Sequence, residues 1–439
     1  MIIGLGMTGL SCARYLHGKG YAVAVTDSRA APPGLADLQR DIPDAAIFVG
    51  GFSDVALASA DLVLVSPGIP LNDPFILRVR DAGVDLIGDI ELFAREAQAP
   101  IVGVTGSNGK STVATLFALM VQSAGMRAGL GGNVGRPALE LLDEAVPDFY
   151  VLELSSFQLE STRSLECRAA SVLNISPDHI DWHGSLEHYA AAKARLFDGA
   201  QVCVFNRDDA ETVRMGEARD NAVSFGLDAP EREIDFGLRE KDGRYWLARG
   251  SESLLPVDEM LLAGRHNWAN ALACLALGFS CGLPKMAMLE ALRTFRGLPH
   301  RMAWVAEHNG VQYINDSKAT NVGAAIAAIT GSTRPVVLIA GGDGKGGDFD
   351  ALVEALPGKV RHVVLIGQDA DRIAAALDHD GAEIDWQRAG SMHEAVMLAS
   401  RVAESGDMVL LSPACASFDM FSGYADRGKA FVNAVEALA

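Results

Sequence analysis

Gly103-Val-Thr-Gly106-Ser107-Asn108-Gly109-Lys110-Ser111-Thr112 follows an apolar run, Ile101-Val-Gly-Val-Thr105, and opens a stretch that reads as a helix over 111–124. Glycines let backbone N–H groups wrap a phosphate, and a helix N-terminus adds partial positive charge. A lysine bridges the outer phosphates, and a hydroxyl ligates Mg²⁺. Strict P-loop spacing puts glycine at position 104, where this chain has Val104, so the match is to a variant with glycines at 103, 106 and 109. Downstream, Phe149-Tyr-Val-Leu-Glu153 ends an apolar run on an acid, followed by Ser155-Ser156-Phe157-Gln158. An acid at the carboxyl end of a parallel strand beside a phosphate loop suits a Mg²⁺ ligand.

Other polar residues follow strand-like runs. Asn174-Ile-Ser-Pro-Asp178-His179-Ile-Asp181 offers His179 to metal or phosphate. His179 and His183 stand four apart, but no Glu follows the first His and Gly184 fits a helix badly, so a zinc protease is rejected. Lys193, among alanines in an expected helix over 185–197, reads from chemistry alone as a solvated helix lysine. Gly4-Leu-Gly6-Met-Thr8-Gly9, with Asp27 ending the next strand and Ser28-Arg29 after it, fits a diphosphate-binding turn without saying which nucleotide. Three further loops follow strands: Asn315-Asp316-Ser-Lys318-Ala-Thr320-Asn321, Gly341-Gly-Asp-Gly-Lys345, and Ser412-Pro-Ala-Cys415-Ala-Ser417-Phe418. Cys415 has no base nearby in sequence and reads as packing.

These residues need elements to hold them. Residues 1–90 alternate strand and helix, with a helix over 7–19 and strands at 21–27 and 61–66. A second α/β segment carries strands at 101–105, 149–154 and 170–174, short antiparallel strands within 224–258, and a helical pair from 267 to about 292 broken by Gly282-Leu-Pro284. A third begins near Gly297, with strands at 311–315, 335–340, 363–367 and 408–412. Apolar runs bounded by Gly and Pro predict parallel strands covered on both faces, hence successive doubly wound sheets. Met1-Ile2-Ile3 is short for a strand feeding a glycine turn; either the strand is clipped or the true start lies upstream.

The chain has 439 residues, 49% of them apolar, and a formal charge of −19. That supports several cores and argues against tracking nucleic-acid backbone or docking on anionic membranes. The acidity is spread along the chain rather than gathered in a tail, and reads as a solvated surface. Six cysteines without a CxxC pair read as core residues in a reducing compartment. With no leader and no apolar run near 18 residues, a cytoplasmic protein is expected.

Taken with Gly264-Arg-His-Asn267-Trp-Ala-Asn270, His300-Arg301 and the loops above, the chain resembles the Mur ligase family over essentially its whole length. The resemblance implies three α/β domains: a Rossmann-like domain over 1–90 for a UDP moiety, a P-loop domain over 91–297 for ATP, and a doubly wound domain over 298–439 for an incoming amino acid. It implies an ATP-dependent amide-bond ligase of peptidoglycan synthesis. The Ser412–Ser417 and Gly341–Lys345 motifs look most like the member that adds D-glutamate to UDP-N-acetylmuramoyl-L-alanine, through an acyl phosphate.

By the same resemblance Gly106, Ser107, Asn108, Gly109, Lys110, Ser111 and Thr112 hold ATP phosphates, Asn270 contacts adenine, and Arg301, Asp316 and Lys318 lie near the nucleotide. Ser111, Glu153 and His179 hold two Mg²⁺ ions. Lys193 matches a lysine that the family carbamylates, which turns an ammonium that cannot ligate Mg²⁺ into an anionic oxygen ligand. Thr8, Asp27, Ser28, Arg29, Asn133, Ser155 and His179 match the UDP-substrate site. Thr320, Lys345, Ser417, Phe418 and Tyr424 match the glutamate pocket, Tyr424 standing where the family often has Phe. A monomer without nucleic-acid or membrane partners is expected. The rivals are another Mur ligase or a folylpolyglutamate synthase, an NAD(P)-dependent dehydrogenase, and a non-catalytic ATP-binding regulator.

Overall fold

In the computed structural model, residues 1–133, 135–262, 264–379 and 384–438 are described. Two compact units are formed, one from residues 1–175, 187–259 and 269–294, the other from 176–186, 260–268 and 295–439.

The first unit contains two sheets. The smaller has five strands in the order Ala46–Val49, Ala24–Asp27, Ile2–Ile3, Leu62–Val65, Asp85–Ile87, and every pairing is parallel. Its order reverses at Ile2–Ile3, the switch point where such sheets open a crevice beyond their carboxyl ends. The expected strand over 21–27 begins only at Ala24, because Tyr21 and Ala22 stand exposed.

The larger sheet has nine strands. Ile101–Thr105, fully buried, pairs in parallel with Phe149–Glu153 on one side and Ala169–Val172 on the other. A continuous apolar run there is what two covered faces require. The expected antiparallel strands are Phe236–Lys241, Arg244–Arg249 and Glu252–Pro256, whereas Ala222–Phe225 pairs in parallel with Cys203–Asn206. The helix expected over 185–197 is α-helical over Leu186–Ala194 and tightens to a 3₁₀ turn at Arg195–Phe197.

The second unit holds a six-stranded sheet in the order Ala303–His308, Val311–Asn315, Met408–Leu411, Val336–Gly341, Val360–Ile366, Asp385–Arg388. Only the first pairing is antiparallel. The period-two rule divides its side chains cleanly. Val336, Leu338 and Ala340 enter one core, and Val337 and Ile339 enter the core on the opposite face.

Candidate functional site

The turn after Ile101–Thr105 is built for close approach of backbone. Gly106 has φ +148° and Gly109 +83°, and a Cβ on Gly109 would lie 2.5 Å from Asn270 Oδ1. Asn174, just beyond strand Ala169–Val172, braces the loop: its carbonyl accepts from Ser107 N at 2.9 Å, its Oδ1 from Asn108 N at 2.8 Å. Helix Lys110–Ser123 starts at once, with Ser111 and Thr112 buried in its first turn.

Two lysines converge on this loop. Lys110 Nζ donates to the Gly106 and Ser107 carbonyls, both at 2.8 Å. Lys193, only 2% exposed, donates to the same Gly106 carbonyl at 2.9 Å. Its Nζ also lies 4.6 Å over the ring of Tyr189, whose hydroxyl is 3.1 Å from Ser107 Oγ. Lys193 is therefore no solvated helix lysine, as its alanine-rich surroundings suggest; the 9-residue helix aims it under the phosphate loop.

Glu153 is 2% exposed at the end of its strand. Its Oε1 accepts from Asn133 Nδ2 at 2.7 Å, and its buried Oε2 has no hydrogen-bond partner among the described residues.

Thr8, Asp27, Ser28, Arg29, Asn133 and Ser155 line one cavity of about 540 Å³, together with Gly4, Ser66 and Gln158. The first four come from the switch point of the small sheet, the others from the large sheet. Asp27 accepts from Leu5 N at 2.7 Å and from Arg29 through Nε at 2.9 Å and Nη2 at 2.6 Å. Arg29 beside it, helped by the Leu5 and Arg29 amides against the cost of burial, holds the carboxyl at about 2. Ser155 caps helix Ser156–Glu160 in a reciprocal box with Gln158.

The second unit groups the remaining residues. His179 takes a left-handed backbone, φ 54°, with Nε2 3.7 Å from Asp178 Oδ1; Asn321 Nδ2 lies 3.4 Å from Asp178 Oδ2. Asp316, buried, accepts from Met302 N at 3.1 Å and Ser412 Oγ at 2.9 Å. Burial pushes its carboxyl up to about 7, against those two donors and Arg301. Lys318 Nζ sits 3.8 Å over the Tyr424 ring. Thr320 N donates to Lys318 O, and Lys345, φ 47°, donates its amide to Asp343 Oδ1. Asp343 and Ala416 form an isolated antiparallel bridge that joins the Lys345 and Ser417 loops. Ser417 is buried, but Phe418 is 75% exposed.

Sequence reading assigned nothing to Arg427, the organiser of these loops. It is fully buried and donates to Ser317 Oγ and O and to the Cys415 and Ala416 carbonyls, at 2.8–3.1 Å. Burial lowers its guanidinium to about 10. Nor did it give a role to Asn174, Tyr189 or Asp89. Only Asn174, at a strand's end, carried a local signal.

Three family models match in order: Mur ligase MurD-like, N-terminal domain over residues 1–88, Mur ligase middle domain over 104–278, and Mur ligase, glutamate ligase domain over 300–415. The chain is 52% identical over 440 residues to a UDP-N-acetylmuramoylalanine–D-glutamate ligase of Nitrosococcus oceani, covering 100% of this chain and 96% of that one. A protein of the same name from Legionella pneumophila is 46% identical over 445 residues, covering 100% and 99%. The chain belongs to the Mur ligase family. Its fold is shared with the UDP-N-acetylmuramate-alanine ligase of Thermotoga maritima, at TM-score 0.61, 19% identity and coverage of 100% and 99%. A pseudomurein peptide ligase type C from Methanothermus fervidus gives 0.64 at 18% identity, covering 100% and 99%.

Mur ligases are ATP-dependent and use Mg²⁺. The residues present fit both. The glycine turn leaves room for phosphate oxygens against backbone, with Lys110 at hand. Glu153 Oε2 is a buried carboxyl oxygen without a hydrogen-bond partner among the described residues, which a divalent cation would satisfy. No helix among the described residues is long and apolar enough to cross a membrane.

Proposed function

We propose that this Mur ligase adds D-glutamate to UDP-N-acetylmuramoyl-L-alanine at the cost of ATP, working as a cytoplasmic monomer in peptidoglycan precursor synthesis. The observation that carries this reading is full-length likeness, 46–52%, to ligases of that name. The proposed division of labour is residues 1–90 for the UDP moiety, 91–297 for ATP and 298–439 for glutamate.

The cavity of Thr8, Asp27, Ser28, Arg29, Asn133 and Ser155 takes the UDP-linked acceptor. Arg29 supplies a cation beside it, and Asp27 keeps that cation oriented. Gly106–Thr112 and Asn270 hold ATP. The acceptor's carboxylate attacks the γ-phosphate, giving an acyl phosphate and ADP. Two anions meet in that step, so Lys110 and Lys318 act by offsetting charge. Ser111, Glu153, His179 and a carbamylated Lys193 would hold two Mg²⁺ ions, whose chemistry when bound is to neutralise charge on the phosphates. The closeness of Lys110 and Lys193 supports the carbamate. Two ammonium groups share one carbonyl oxygen, and converting one to an anion relieves their repulsion.

The amine of glutamate then attacks the acyl carbon, and phosphate leaves. Thr320, Lys345, Ser417, Phe418 and Tyr424 form the pocket for its two carboxylates, with Arg301 and Asp316 beside the nucleotide. An ADP-release assay tests the reading. Turnover is expected only when ATP, UDP-N-acetylmuramoyl-L-alanine and D-glutamate are all present. Equal turnover with L-glutamate, or with a folate acceptor, would overturn it.

A further inference from the structure

Helix Asp89–Glu96 follows the last strand of the small sheet, and its first turn carries two buried carboxylates. Both reach residues that follow strand Phe149–Glu153 of the large sheet. Glu91 accepts from the Arg163 and Ser164 amides at 2.7 and 2.8 Å, and from Ser164 Oγ at 2.8 Å. Asp89 Oδ2 accepts from Gln158 Nε2 at 3.0 Å.

The second contact has a chemical consequence at the cavity. A carboxylate only accepts, so the Gln158 amide must turn its nitrogen to Asp89 and its oxygen to Ser155. Gln158 Oε1 then accepts from Ser155 N at 3.1 Å and from Ser155 Oγ at 3.2 Å. The Ser155 hydroxyl also accepts from Gln158 N at 3.2 Å. Its one proton is spent on Gln158, so it presents only a lone pair to the cavity that it lines.

We propose that Asp89 is a positioning residue whose carboxylate, acting through the Gln158 amide, fixes the Ser155 hydroxyl as a hydrogen-bond acceptor on the wall of the acceptor cavity. The group opposite Ser155 is accordingly a donor, a sugar hydroxyl or amide N–H of the acceptor, and not a phosphate oxygen. The inference rests on the proposed acceptor site. Burial pushes the Asp89 carboxyl up to about 6, against Gln158 and the amides of its own helix turn. A carboxylate ionised at neutral pH in such a place weakens the fold, which a merely structural polar group would not need to do.

The test is a charge-pattern swap in the full-length enzyme. Gln158→Glu sets two carboxylates against each other and is expected to raise KM for UDP-N-acetylmuramoyl-L-alanine about tenfold or more, with KM for ATP and D-glutamate within about twofold. Adding Asp89→Asn restores a donor between the two positions and is expected to return the acceptor KM to within about threefold of the parent. Calorimetric binding of the acceptor should follow the same order. Thermal melts of the parent, both single variants and the double variant read the same coupling without substrate. A double variant as impaired as Gln158→Glu, or KM values that shift together for all three substrates, overturns the relay, as does additive melting. A parent that neither binds nor turns over the acceptor overturns the functional reading instead, and the melts still decide the Asp89–Gln158 coupling.

Discussion

At the scale of the residue, two lysines meet at Gly106, whose carbonyl accepts hydrogen bonds from both Lys110 and Lys193. Lys110→Ala should cut phosphate release by about 100- to 1,000-fold, the usual cost of removing one charge-stabilising group. A coupled phosphate assay reads it, and near-parental turnover removes the P-loop assignment. Lys193→Ala should be comparably inactive yet, on the proposed carbamylation, recover part of its rate in high concentrations of acetate or formate, which would bring a carboxylate to the same place. A variant indifferent to such acids would show that Lys193 acts as an ammonium. In the second unit, Arg427→Met keeps volume but abandons the Ser317, Cys415 and Ala416 oxygens. It should raise KM for glutamate while leaving KM for the UDP acceptor unchanged. The placement of Lys110 at a helix start and of Glu153 at a strand end was legible in the sequence because strand, loop and helix signals coincide around them. Arg427 and Asp89 were not. Their partners are carbonyls, or an amide far along the chain, and neither leaves a local pattern.

Elements place these groups, and their start points matter more than their lengths. Helix Lys110–Ser123 begins on Gly109, whose positive φ and closeness to Asn270 leave no room for a side chain. Gly109→Ala should therefore weaken ATP binding at least about tenfold with little effect on acceptor affinity, as equilibrium titration would read. Apolar runs announced the parallel strands well, since both faces of each are covered. Boundaries were less legible. The strand ending at Asp27 was expected three residues too early, because Tyr21-Ala22-Val23 has strand-like composition, yet Tyr21 and Ala22 are exposed and lie outside the ladder. The aim of Lys193 was hidden for a related reason: helical spacing gives a face, and only packing shows what that face meets.

For the whole molecule, the buried carboxylates of helix Asp89–Glu96 pull stability in opposite directions with pH. Burial pushes Glu91 up, but the Ser164 and Arg163 amides, Ser164 Oγ and Arg95 outweigh it and hold the group at about 2. Its stabilising contribution is full above the ordinary carboxylate range and is lost as pH falls from about 4 toward 2. Asp89, raised to about 6, does the reverse: its contribution is full below about 4 and is lost as pH rises through 6. A displacement of that size is worth roughly 2–3 kcal/mol. Calorimetric melts should show Asp89→Asn flattening the decline in Tm between about pH 4 and 6, and Glu91→Gln removing part of the acid-side loss. An Asp89→Asn profile parallel to the parent's would show that the group titrates normally.

The strand order of the second unit bears on how the chain is made. Met408–Leu411 lies between Val311–Asn315 and Val336–Gly341, although it is synthesised last of the six strands. Until it emerges from the ribosome, each of the two neighbouring strands lacks the partner that pairs with that edge in the finished sheet. Neither can close on the other without losing the parallel register that Met408–Leu411 supplies. Protease protection of nascent chains should therefore come to the two earlier sheets well before the third. The third should gain it in one step, once residue 411 has cleared the exit tunnel.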